Sequence, residues 1–200
     1  MRYFQFNVNE DEKNYEKIII FGIDFEVENG ERIWVEELFE RHLNGHPMAL
    51  LRILKMNKRK RLLPEIGYTD TSALIVRKDC FDALETKFLG LTTIPVMAER
   101  FEVIYYVLWF NECVDCVDWD HSEYYPWPEG TVLRPWHNPR ANWFIRPALD
   151  KTKLPENLDV FRLKEWGGPF NFFVNEKVAE KISTINNAEK FVDFRELDCY

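Results

Sequence analysis

The chain repeats itself weakly at a separation of 98 positions. Ala73-Leu74-Ile75-Val76 reads as a short strand, Asp79 to Phe88 as a helix with Phe81 and Leu84 on one face, and Thr93 to Val96 as a returning strand. Asn171-Phe172-Phe173-Val174 is again a strand, Glu176 to Ile185 again a helix with Val178 and Ile182 inward, and Lys190 to Phe194 the return. Two copies are too few to stack as a solenoid. The expected class is therefore α+β, a mixed sheet with two strand-helix-strand units in a weak internal repeat.

The remaining segments fit that class. Tyr3 to Asn7 alternates and Lys17 to Phe25 is rich in Ile and Phe, so both predict strands, with Glu28-Asn29-Gly30-Glu31 as the turn that follows. Trp34, Val35, Leu38, Phe39 and Leu43 then fall at helical spacing, and Asn44-Gly45 supplies the stop, which predicts an amphipathic helix of about ten residues. Leu50 to Met56 is apolar without a clear period, and a basic run, Lys55, Lys58, Arg59, Lys60 and Arg61, follows. Phe101 to Phe110 and Val160 to Leu163 predict strands, the second leading into a turn at Trp166-Gly167-Gly168-Pro169. The 200 residues suffice for one domain without staples, with a subdivision into an N-terminal α+β part, 1–65, and a part from 66 to 200.

Charge is concentrated in one place. Residues 101 to 133 contain seven carboxylates and no Lys or Arg, against a net charge of −8 for the whole chain, so the rest is nearly neutral. The same stretch holds Trp109, Trp119 and Trp127 and a series of Phe and Tyr residues. Aromatic anchors among acids suit a surface for a basic protein, since aromatics supply contact area and carboxylates steer encounter. The candidate contact residues are Asp115, Asp118, Trp119, Asp120, Glu123, Tyr124 and Trp127. The alternative is a buried strand followed by an acidic loop.

The order of the pieces also resembles a known family. Ser72-Ala73-Leu74-Ile75-Val76, then Ile94-Pro95-Val96, then Val114-Asp115-Cys116-Val117-Asp118-Trp119-Asp120-His121-Ser122-Glu123-Tyr124, and Val160-Phe161-Arg162-Leu163-Lys164-Glu165 before Phe172-Phe173-Val174-Asn175-Glu176 resemble the immunity proteins of bacterial polymorphic toxin systems, a family formerly catalogued as a domain of unknown function. The resemblance covers about residues 65 to 196. Many members carry a Gly before the final strand, where this chain has Asn186-Asn187-Ala188-Glu189. The resemblance implies a cytoplasmic antitoxin that binds and blocks a cognate toxin protein, with no catalysis and no cofactor. Many such toxins are basic nucleases, and carboxylates on the inhibitor would take the place of phosphates in the toxin's cleft.

Other chemistries compete for the same residues. Cys113-x-x-Cys116 with His121 and His137 could ligate tetrahedral zinc, although a structural site normally shows a second tight pair. A redox Cys-x-x-Cys would need cationic surroundings, and those here are anionic, so buried protonated thiols are expected. Asp118-x-Asp120 with Glu123 could hold Mg²⁺ as a metal-dependent hydrolase, yet no Ser-His pairing, Gly-rich phosphate loop or HExxH accompanies them. A non-toxin interaction module is a third reading. Ser122 with Asp120 would in that case simply cap a turn. Arg162, between apolar neighbours, is expected to pair with a carboxylate of the acidic segment. No apolar run approaches the roughly 20 residues that span a bilayer and Met1-Arg2-Tyr3-Phe4 begins no signal peptide, so neither a membrane nor direct nucleic-acid binding is expected of this acidic chain.

Overall fold

Strand alternation divides the chain between two sheets. The computed structural model describes residues 1–8, 20–27, 30–46, 49–55, 65–68, 74–98, 101–134, 137–166 and 171–200. The basic run Lys58 to Arg61, Ser72-Ala73, Glu28-Asn29 and the Gly167-Gly168-Pro169 turn lie outside them. In chain order the elements are β1 (Tyr3–Val8), β2 (Ile20–Glu26), β3 (Arg32–Ile33), α1 (Val35–Leu43), β4 (Ala49–Lys55), β5 (Ile66–Tyr68), β6 (Leu74–Arg77), α2 (Lys78–Asp82), β7 (Leu91–Ala98), β8 (Val103–Phe110), β9 (Cys113–Val114), β10 (Glu123–Tyr125), β11 (Trp143–Arg146), β12 (Val160–Leu163), β13 (Phe173–Asn175), α3 (Glu176–Ser183) and β14 (Val192–Glu196). A seven-stranded mixed sheet runs β3-β2-β4-β7-β8-β6-β5, a five-stranded one β14-β1-β13-β12-β9, and β10 and β11 form a hairpin of their own.

The repeat survives as topology. Both β6 and β7 pair antiparallel with β8, so they run parallel to each other on either side of it. β13 and β14 stand in the same relation to β1. The outer partners match too, β5 antiparallel to β6 and β12 antiparallel to β13. Each strand-helix-strand unit thus returns one strand away from its start. The gap is filled in the first copy by the next strand along the chain and in the second by the first strand of the protein. Residues on both sides of position 65 share one sheet, β4 pairing in parallel with β7.

Three apolar layers follow from strand alternation. Phe6, Leu74, Val76, Leu108, Phe110, Val160, Phe172 and Val174 meet in a central core to which both sheets contribute. Helix α3 covers it with Val178, Ala179 and Ile182, its start capped by Asn175, whose side chain accepts from the Val178 N–H at 3.0 Å. Opposite-parity residues of the seven-stranded sheet, Ile75, Ile94, Val96, Tyr105 and Val107, pack beneath α1. That helix is amphipathic as expected, with Glu36 and Glu37 in its first turn and Arg41 and His42 in its last, matching its dipole. The third layer lies on the other face of the five-stranded sheet, where Tyr3, Phe161, Leu163 and Phe173 meet Cys116, Val117, Phe144 and Leu149.

Two expectations are corrected. The helix expected over 79–88 ends at Asp82, and Glu85 takes a left-handed φ of 49°. Residues 83–90 are instead drawn towards the other sheet, where the Leu89 carbonyl accepts from Asp159 N and Val160 N, each at 3.3 Å, and Leu89 N donates to the Asp159 carboxylate at 2.8 Å. Tertiary hydrogen bonding outweighs the helical spacing of Leu84 and Phe88, both of which remain buried in the central core. Arg162, expected to pair with a carboxylate, makes no ion pair among the described residues: its guanidinium sits 5.0 Å from the centre of the Trp109 ring, which also stacks on Phe39 at 4.8 Å. It still joins the two sheets, by a cation over an aromatic face.

Candidate functional site

The sequence from Cys113 to Tyr125 leaves the five-stranded sheet and returns as the hairpin. β9 runs parallel to β12, Cys116 and Val117 are buried, and Val117 bridges to Leu149, which in turn bridges to Cys199. Burial, reinforced by the carboxylates of Glu165, Asp115 and Asp150 and by Cys199, pushes the Cys116 thiol well above its ordinary value. Cys113, by contrast, is exposed. Of the two thiols expected to be buried, only Cys116 is; Cys113 lies at the surface because β9 is an edge strand of the five-stranded sheet.

Asp118 is the centre of a turn. Its carboxylate accepts from Asp120 N at 3.0 Å and His121 N at 3.2 Å, and meets His121 Nδ1 at 2.9 Å. The His121 side chain first, and then these two N–H groups, hold its pKa below the usual carboxylate range against the opposing effect of burial. Ser122 Oγ donates to the Asp118 carbonyl at 2.5 Å and accepts from Ala148 N at 2.8 Å, tying the turn to the strand that precedes Leu149. The turn-capping acid is thus Asp118 and not Asp120. His121 stacks on Tyr200, centroids 3.8 Å apart.

The three aromatic candidates are engaged within the chain. Trp119 packs edge-on to Tyr124 at 5.3 Å and against Phe144 at 5.5 Å, with the Arg140 guanidinium over it at 4.4 Å. Trp127 donates from Nε1 to the Asn138 carbonyl at 2.7 Å and stacks on His137 at 4.5 Å. The acids of the stretch are spread over the molecule. Glu102 precedes β8 with a φ of 52°, Glu112 follows its far end, and Asp115 lies 3.9 Å from Lys164. Asp120, Glu123 and Glu129 are exposed and make no ion pair among the described residues.

What the strand alternation of the hairpin turns outward was not singled out from the sequence. Tyr124 pairs with Phe144 on the inner side, so Tyr125 and its register partner Trp143 face out, 60% and 58% exposed, with Ile145 beside them. The signal was present as the apolar run Trp143-Phe144-Ile145, hidden in a segment whose prolines suggest an irregular connection. Under the hairpin, Trp166 touches Trp143 at 5.4 Å and Phe144 at 5.1 Å. Beside it stands Glu165, the buried acid of this layer, whose Oε1 accepts from Val117 N at 3.1 Å while Oε2 has no hydrogen-bond partner.

Cys113, Cys116, His121 and His137 are not assembled around a common point, and among the described residues no three His, Cys, Asp or Glu side chains converge as metal ligands do. Nor, among those residues, is any helix long and apolar enough to cross a membrane. What the segment does offer is exposed aromatic area and carboxylates without an ion pair among the described residues. Compared with protein-family models and with curated proteins, the chain finds no match.

Proposed function

We propose that this chain is an immunity protein, a cytoplasmic antitoxin that binds a cognate bacterial toxin effector and blocks it by occupancy rather than by catalysis. The toxin is a basic protein, such as a nuclease. The observation that carries this reading is the arrangement of charge around the hairpin. Arg140 lies over Trp119, Arg146 pairs with Asp198 at 2.8 Å and Arg195 donates to the Ile145 carbonyl at 2.8 Å, whereas Asp120, Glu123 and Glu129 are left without cationic partners among the described residues. Arg140 and Arg195 keep their charge there, so what supports a basic partner is the three exposed carboxylates without an ion pair, available to a cationic surface. The family-like pieces add to this, since the Asp118-x-Asp120-x-Ser122-Glu123 turn and the Phe161-Arg162-Leu163 strand flank the third apolar layer on which the hairpin rests.

Co-expression tests it. Cells carrying the chain should survive induction of the toxin domain encoded beside it, and cells lacking it should die. Equal killing with and without the chain, for every neighbouring toxin domain, would exclude the assignment.

A further inference from the structure

Two carboxyl groups that lie side by side with one of them buried cannot both be ionised, so they hold a proton between them. β9 runs parallel to β12 with Leu163 opposite Val114, and the residues that follow, Asp115 and Cys116, run alongside Lys164 and Glu165. Val117 N completes that register by donating to Glu165 Oε1 at 3.1 Å. The other oxygen, Oε2, is buried without a hydrogen-bond partner. Asp115 supplies the neighbouring carboxyl group, close enough to share a hydrogen bond with Glu165. A protonated acid has the O–H that such a bond requires, and a carboxylate does not.

Burial assigns the proton to Glu165. Asp115 is exposed, and its carboxylate lies 3.9 Å from the Lys164 ammonium, which favours its charge. Glu165 precedes Trp166, whose ring meets Trp143 and Phe144 of the hairpin and Phe173 of β13, an apolar setting for a charge. The ionisable group next to it in the layer is the Cys116 thiol, followed by Asp150, Cys199 and the Tyr3 hydroxyl of β1, with Lys151 and Asp198 acting on Cys199 from further out. Arg162, three residues earlier on β12, is turned to the Trp109 ring. The N–H groups of Val117 and of Glu165 itself favour the charged form and are outweighed by burial and by Asp115.

Removing the proton sets two negative charges against each other at the point where the chain leaves β9 for the turn. Asp115, the exposed member, is the one free to move. The segment behind it leads to the Asp118 turn, which Ser122 ties to Ala148.

We propose that the Asp115–Glu165 carboxyl pair is a pH-operated latch, holding the start of the acidic turn against β12 while it keeps its proton and releasing it when both acids are ionised. The latch acts on the segment that carries Asp118, Asp120 and Glu123 and does not rest on the proposed inhibitor function. Burial and then Asp115 raise Glu165 from 4.5 to about 7, so the hold is full below about pH 4.5 and is lost as pH rises through about 7.

Hydrogen exchange of the full chain, followed by mass spectrometry and corrected for the intrinsic rate at each pH, tests it. The peptide covering 113–123 should open about tenfold more readily at pH 8.5 than at pH 6, and at pH 8.5 it should exchange ahead of strand β8. Glu165→Gln places an amide N–H where the acid carried its proton and should keep the protection of pH 6 at both values. Asp115→Asn removes the like charge, offers Oε2 a donor and should flatten the same profile. Equal opening of the parent's 113–123 at the two pH values would overturn the latch, as would exchange of that peptide no faster than β8 at pH 8.5. A Glu165→Gln chain with the parent's pH profile would overturn it too. Should either variant fail to fold, the parent's own profile decides.

Discussion

Glu165 shows how a single buried side chain couples the acidic segment to its support. It is 8% exposed, and burial, followed by the neighbouring Asp115 carboxylate, raises it from an ordinary 4.5 to about 7, against the Val117 N–H that favours its charge. The folded chain therefore holds this proton over a range in which the unfolded chain has released it. Stability contributed by Glu165 is full below about pH 4.5 and is lost as pH rises through about 7. Glu165→Gln keeps the shape, removes the charge and should flatten that slope, with melting temperature at pH 8 above the parent's. A parent whose melting temperature is constant from pH 5 to 8, or a variant with the parent's slope, would contradict this. The sequence displays Glu165 only as one acid after an apolar strand. Its burial comes from Val117 and Trp166, forty-eight residues from one and next to the other, and no local pattern reveals it.

Among the elements, legibility tracks how far each one's hydrogen bonds reach. α1 and α3 close their own bonds and follow their apolar period, and the apolar strands β6 to β8 and β12 lie close to where the sequence puts them. Asn187 occupies the left-handed region at φ 60°, which Asn adopts more readily than most residues. The second half of the expected helix over 79–88 fails for the opposite reason, because Leu89 bonds to Asp159 and Val160 across the molecule. Gly90 makes that approach feasible. It has a φ of +91°, and a Cβ there would lie 2.7 Å from the Val160 carbonyl oxygen. Gly90→Ala should cost at least about 1–2 kcal/mol from conformation alone, more with the overlap. Urea denaturation measures it, and an unchanged midpoint would mean that the two sheets do not meet at this loop.

Seen whole, the protein is two copies of one strand-helix-strand plan around a shared core, with the hairpin and the acidic turn built onto the outer face of the second. The repeat was legible because both copies keep their apolar spacing at 98 positions. That β1 completes the second copy was not, since nothing in Tyr3–Val8 says which of its possible neighbours lies 170 residues away. The charge concentration in 101 to 133 was legible as composition but not as a surface: folding sends Glu102 and Glu112 to opposite ends of β8 and gives Asp118 to a turn, and it leaves Asp120, Glu123 and Glu129 exposed without an ion pair among the described residues. Inhibition by occupancy has a stoichiometry, which catalysis does not. Titrating the purified chain into an activity assay of the toxin domain encoded beside it should abolish activity at one equivalent, with the toxin's mass unchanged and its activity recovered when the complex is dissociated. Full activity at ten equivalents, or inactivation by a small fraction of an equivalent, would contradict the proposed function.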